Sequence, residues 1–279
     1  MLRRLLFAIV LAPTLLQGAV EPKWNLPFPP HKVAGNLYYV GTNFLASYLI
    51  TTPRGHILIN PSYEESVPLI QASVEKLGFR FSDIKIVLIS HAHDDHTGGL
   101  ARVKELTHAT VMVMEADVPV IEDGGVSDFN YSDQRWKPVK VDRVLHDGDE
   151  VRLGGAVLQA HLTPGHTKGC TTWTTTVREN GRAYNVVIVG SPNVNPGYRL
   201  VKNDRYPKVA ADYDRTFRVL KALPCDIFLG AHGGYYGLDE KFKKLQSGGS
   251  NVFVDAQGYK DYIADREAAF RAELKRQSE

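Results

Sequence analysis

The sequence predicts an α+β fold in which two β-sheets pack face to face with helices outside. Three observations predict it. Apolar, β-rich runs recur through both halves of the chain. Amphipathic helical periods are interspersed among them, and no linker separates the halves. The 279 residues, 43% of them hydrophobic, can bury a substantial core. Charges are mixed along the chain, and a net charge of +2 gives no footprint for nucleic acid or an anionic membrane.

The first 19 residues read as a secretory signal peptide: Arg3 and Arg4, then an apolar core from Leu5 to Leu16, then small Gly18 and Ala19. The core is too short for a bilayer, which needs roughly 20 residues, and it contains Pro13. Cleavage within 18–20 would remove two of the 33 basic residues and leave a near-neutral chain with 31 acidic ones. Residues 20–279 then form a single exported domain, expected in the periplasm as a monomer without stable membrane association. Cys170 and Cys225 are the two cysteines. Export would permit a disulfide, but nothing in the sequence brings them together, and they read as unpaired.

Strands are expected at 36–41, 44–52 and 55–60, the last two joined by the turn "TPRG". Val67, Ile70, Val74 and Leu77 follow a helical period that Gly78 closes. "DIKIVLIS" (83–90) is a buried strand, 98–107 a helix and 109–115 a strand. The polar stretch 116–140, with a few aromatics, suits a flap near a site or plain surface. A hairpin follows in "DEVRLGGAVLQAHLTPGH", then strands "CTTWTTTV" and "YNVVIVGS", a helix over 209–223, the strand "DIFLGAH" and a terminal helix over 257–276.

The chemistry concentrates in "SHAHDDHTGG" (90–99), directly after the apolar run. His91 and His93, two apart in an extended segment, can face one side. Asp95 and His96 follow as the chain turns into a helix. Imidazoles and a carboxylate, with no cysteine nearby, suit a catalytic zinc site that keeps an open position. His166 and His232 also stand at strand ends, before turns. Six donors exceed one tetrahedral ion, so two Zn2+ ions are expected: His91, His93 and His166 on one, Asp95, His96 and His232 on the other. Asp94 is expected to be solvated or to cap the turn. His31, His56, His108, His146 and His161 stand singly and read as structural or solvated.

This set, in this order and at these intervals, resembles the metallo-β-lactamase family over nearly the whole mature chain. The resemblance implies a four-layer αββα sandwich, with the metals at one edge between the sheets. Glyoxalase II-like thioesterases, lactonases and RNA-processing nucleases of the family carry a metal-bridging aspartate after the strand that here ends in "NVVIVG", and other lactamases carry a cysteine. This chain has Gly190-Ser191-Pro192. A serine there, with "NVNPGYRL" and "YYVGT", resembles subclass B3. The resemblance implies zinc-dependent hydrolysis of the β-lactam amide bond of penicillins, cephalosporins and carbapenems by a metal-bound hydroxide, conferring antibiotic resistance. Asp95 would be the catalytic carboxylate that orients the hydroxide. Ser191 would hold the substrate carboxylate, directly or through water, with Asn193 the second candidate. Asn60 stands where relatives carry an aspartate near the metals, with a modest effect expected. The alternatives are a thioester or lactone hydrolase of the same fold and an exported metal-binding module without catalysis.

Overall fold

The structure, a computed structural model, describes residues 22–279; the signal-peptide reading concerns residues outside that range. In chain order the elements are β1 (His31–Ala34), β2 (Leu37–Tyr39), β3 (Tyr48–Thr52), β4 (Gly55–Ile59), α1 (Val67–Lys76), β5 (Ile84–Leu88), α2 (Asp94–Thr97), α3 (Leu100–Thr107), β6 (Thr110–Met114), α4 (Val118–Glu122), β7 (Arg143–Leu145), β8 (Glu150–Leu153), β9 (Ala156–Leu162), β10 (Thr171–Glu179), β11 (Arg182–Val189), α5 (Val209–Ala222), β12 (Ile227–Gly230), α6 (Leu238–Gln246) and α7 (Ala256–Ser278). The β3–β4 and β8–β9 hairpins, the long strands and the terminal helix fall where the sequence places them. Strands β1 and β7 and helix α6 add to that reading. The stretch expected to be irregular from 116 begins instead with a helical turn and α4.

Two mixed sheets form the centre. One has seven strands in the order β1 to β7, antiparallel up to β4 and parallel from β4 onward. The other has five, β12-β11-β10-β9-β8, with only β11–β12 parallel. The central apolar runs are continuous because both faces of these strands are buried. In β4, Ile57 and Ile59 face the core between the sheets while Leu58 faces the outer helices. In β6, Met112 and Met114 take the first role, Val111 and Val113 the second. Helices α1 and α3 cover the outside of the seven-stranded sheet with Val67, Ile70, Val74, Leu100 and Val103. Helices α5 and α7 pack their Tyr213, Phe217, Ile263 and Phe270 on the five-stranded sheet. The result is the expected αββα sandwich.

The sheets are tied at one edge. Trp173 of β10 is fully buried and its Nε1 donates to the carbonyl of Ile89 (3.0 Å). The amide of Thr171 donates to Ser90 O (2.7 Å), and Tyr48 OH donates to Gly230 O (2.8 Å). These bonds anchor the chain just before His91 and His232, so core packing fixes where the strand ends point. Trp173→Ala is expected to cost roughly 3–5 kcal/mol, the range for a fully buried large side chain, and urea unfolding measures it.

Candidate metal centre

Each sequence-predicted donor stands just beyond the end of a strand. His91 and His93 follow β5, and Asp95 and His96 lie in α2. His166 follows β9 and His232 follows β12. Gly98 and Gly99 let the motif turn so tightly. A Cβ at Gly99 would come within 2.5 Å of Pro61 O and 2.7 Å of Val67 Cγ2, so the turn packs its backbone directly on the chain ahead of α1. Asn60, at the end of β4, has a left-handed φ of 59° that asparagine tolerates. Its Oδ1 accepts from the amide of Ser90 (2.7 Å), fixing the first residue of the motif. An aspartate could make the same bond, but the amide group of Asn60 also approaches Ala46 O (3.5 Å).

The six donors gather at one edge between the sheets. The donor atoms of His91, His93 and His166 all lie within 4.8 Å of one another, and all three residues are buried. His91, Asp95 and His96 also meet within that distance, so His91 borders both sets. The tighter second group is Asp95, His96 and His232. Asp95 Oδ2 stands 3.3 Å from His96 Nε2 and 3.6 Å from His232 Nε2, and the two imidazole nitrogens are 3.2 Å apart. Zinc–nitrogen and zinc–oxygen bonds of about 2.0–2.2 Å in a tetrahedron place ligand atoms about 3.3–3.6 Å apart, so this triangle has the right edges for such an ion.

Electrostatics agree. Burial holds His91 and His93 well below the usual imidazole range, with neighbouring imidazoles adding to the effect. Burial likewise lowers His166 to about 4 and His96 and His232 to about 3. Histidine ligates as the neutral imidazole, so these side chains are in ligand form at neutral pH. Burial raises the Asp95 carboxyl, against the opposing pull of His232 and His166. Partners behind the rings set which nitrogen is free. His166 Nδ1 donates to Asn193 O (2.8 Å), leaving Nε2 for the centre. His91 Nδ1 meets Ser90 Oγ (3.1 Å). His93 Nε2 is buried without a hydrogen-bond partner, 3.7 Å from Asp128 Oδ2.

The donors open on a cleft of about 340 Å³, the size of a small-molecule site. Trp24 and Phe44 form one wall, stacked with ring centroids 5.0 Å apart and with His232 beside them. Tyr131 and Gln134, from the 116–140 stretch, form another, so part of that stretch borders the site. Asn193, Asn195 and Tyr235 complete the lining. Asn193 therefore faces the cleft. Ser191 does not line it: the side chain is 2% exposed, its Oγ 3.2 Å from Tyr235 OH and 3.4 Å from Asn193 Nδ2. Asp94 departs from expectation. It is buried rather than solvated, because the turn of α2 folds it onto Gly98, and burial pushes its carboxyl up to about 7.

The isolated histidines lie elsewhere. His31 is buried between Tyr39 and Phe253, His56 packs on Phe79, and His161 bonds Thr174. His108 caps α3 in a left-handed conformation, and His146 is exposed. Cys170 and Cys225 are free thiols. A larger groove of about 1160 Å³ involves the β3–β4, β8–β9 and β10–β11 turns, at the end of the sandwich opposite the donors. Among the described residues no helix is long and apolar enough to cross a membrane.

Buried imidazoles held in the neutral form, with one carboxylate among them, at one edge of a two-sheet sandwich and open to a cleft, suit a metal-dependent hydrolase. The chain belongs to the metallo-beta-lactamase superfamily, whose family model matches residues 40–232. Among solved structures it is similar to native FEZ-1 metallo-beta-lactamase from Legionella gormanii, 55% identical, covering 91% of this chain and 98% of that one with a TM-score of 0.90. It is also similar to the class B3 di-zinc metallo-beta-lactamase LRA-12 from an Alaskan soil metagenome, 33% identical, covering 92% and 98% with a TM-score of 0.88. Among curated relatives, a hydroxyacylglutathione hydrolase of Rhodopseudomonas palustris is 32% identical over 120 residues, 43% of this chain. That match spans 39% of the relative's length, so the likeness is local.

Proposed function

We propose that the chain is a zinc-dependent β-lactamase of the B3 type, exported to the periplasm after cleavage within 18–20. There it opens the amide of penicillins, cephalosporins and carbapenems and confers resistance. The observation that carries this over the family's other hydrolases is the end of β11. Ser191 stands where thioesterases and lactonases place a bridging carboxylate, and its hydroxyl is turned to Tyr235 and Asn193. The near full-length likeness to B3 lactamases supports the same reading.

His91, His93 and His166 would hold one zinc ion, and Asp95, His96 and His232 the other. Bound zinc would supply hydroxide at neutral pH and a Lewis acid for the lactam carbonyl. The chain's own residues do the rest. Asp95 would orient the attacking hydroxide through a carboxylate oxygen. Asn193, which lines the cleft, would meet the substrate carboxylate by turning its amide from Ser191 and Tyr262, and Ser191, behind it, would act through Asn193 or a water. Trp24, Phe44 and Tyr131 shield the reacting centre from bulk water. Ser191 is no nucleophile, because its hydrogen-bond partners are a phenol and an amide rather than a base. The substrate is a small molecule and the working unit a monomer; no nucleic acid is involved.

The local likeness to a hydroxyacylglutathione hydrolase favours a second reading, a thioester or lactone hydrolase. One assay separates them. The zinc-loaded protein should open a chromogenic cephalosporin and leave a glutathione thioester largely intact. An intact cephalosporin beside a cleaved thioester would reverse the assignment.

A further inference from the structure

One buried carboxylate outside the donor set touches both loops of the first set. Asp117 lies in the helical turn after β6 and is 1% exposed. Its Oδ2 accepts from the amide of Ala92 (3.0 Å) and from Thr167 Oγ1 (2.8 Å), and its Oδ1 accepts from the amide of Gly169 (2.7 Å). Ala92 is the residue between His91 and His93, and Thr167 follows His166. A single side chain therefore bonds the loops that carry all three donors. The approach is close enough to exclude a side chain opposite: a Cβ at Gly169 would lie 2.7 Å from Asp117 Cγ.

The group type follows from the donors. Three donors converge on this point, and an ionised carboxylate is acceptor-only, with room for about four bonds. An amide offers one acceptor oxygen and turns its NH2 against at least one N–H or O–H. Loss of the carboxylate leaves buried donors unpaired, which the loops relieve by moving apart.

We propose that Asp117 is a positioning residue: its carboxylate locks the His91–His93 loop to the His166 loop and so sets the spacing of the three histidines for the metal they hold. This rests on the reading that those histidines bind metal. Asp117 does not reach the centre itself. It acts through backbone and hydroxyl bonds, as partners of metal ligands do.

The test uses cobalt(II), titrated into metal-free protein and followed by its visible absorption, without any assay of turnover. The variants are Asp117→Asn, Thr167→Val, Thr167→Ser and, as a control on the metal reading, His166→Ala. Asp117→Asn is expected to weaken binding at the first set by roughly 10–100-fold and to shift the cobalt bands. Thr167→Val, which removes one of the three bonds, should fall between it and the wild type, and Thr167→Ser should restore wild-type binding. His166→Ala should lose the equivalent held at the first set outright. If His166→Ala binds as the wild type does, the metal reading fails. If His166→Ala loses its site while Asp117→Asn and Thr167→Val bind with wild-type affinity and spectrum, the role given to Asp117 is overturned. Should Asp117→Asn not fold, the Thr167→Val and Thr167→Ser pair decides alone.

Discussion

Chelation should take hydrolysis of a chromogenic cephalosporin to background, and added zinc should restore it. The expectation follows from what the cleft contains. Its floor is imidazole and carboxylate, and the serine near it has no base. Among the described residues lining the cleft there is no serine, threonine or cysteine to replace a metal-bound hydroxide as nucleophile. Stability should fall as well. A ligand held at about 1,000 times its Kd contributes about 4 kcal/mol. For a chain of this size each kcal/mol moves Tm by about 2–4 °C, so stripping the metal should lower Tm by roughly 10 °C. Scanning calorimetry with and without chelator measures the shift. Activity that survived exhaustive chelation would require a metal-independent mechanism and would remove the basis of the zinc assignment.

The donors could be found in the sequence because each sits at a place the sequence marks. An apolar run ends and a histidine stands within a few residues, beside glycine or proline: "IKIVLI" leads to His91 with Gly98-Gly99 beyond, "AHL" to Pro164-Gly165 and then His166, and "DIFLG" to His232 with Gly233-Gly234 behind it. Strand pairing then brings the ends to one edge without further information. The same logic fails where a residue's role depends on partners far along the chain. Asp117 bonds residues 25 and 50 positions away, and nothing in "MEADVPV" announces that. Trp24 reaches the cleft by stacking on Phe44, and Tyr131 enters from a stretch with no period to read. Ser191 shows a related limit. Its place at the end of β11 is legible in the sequence, but its exposure is set by Tyr235 and Asn193, so Asn193 lines the cleft and the serine lies behind it. Asp94, polar and between ligands, looks solvated in the sequence and is buried only because Gly98 lets the helical turn close on it. Strand β1 and helix α6 are short and gain their place by tertiary packing.

Asp95→Ala should lower kcat/KM by roughly 10²–10⁴, the contribution typical of a positioned acid–base group. On the proposed reading Asp95 carries two duties. Its Oδ2 closes the triangle with His96 Nε2 and His232 Nε2, and it is the carboxylate in that triangle. Its loss leaves two neutral imidazoles 3.2 Å apart to hold a dication, and it also removes the oxygen that would orient the attacking water. The two effects can be divided. Asp95→Asn keeps the size of the side chain and one oxygen, so it should bind the second metal more weakly but still fill at high zinc. If activity then returns, Asp95 serves the metal. If the site is full and kcat stays depressed while KM is little changed, the lost step is the orientation of water, since only an interaction made in the transition state is missing. Metal content measured beside the rate, across a zinc titration, separates these outcomes. Full wild-type kcat/KM in Asp95→Ala would show that this carboxylate has neither duty, and the division of the six donors into two sets would have to be redrawn.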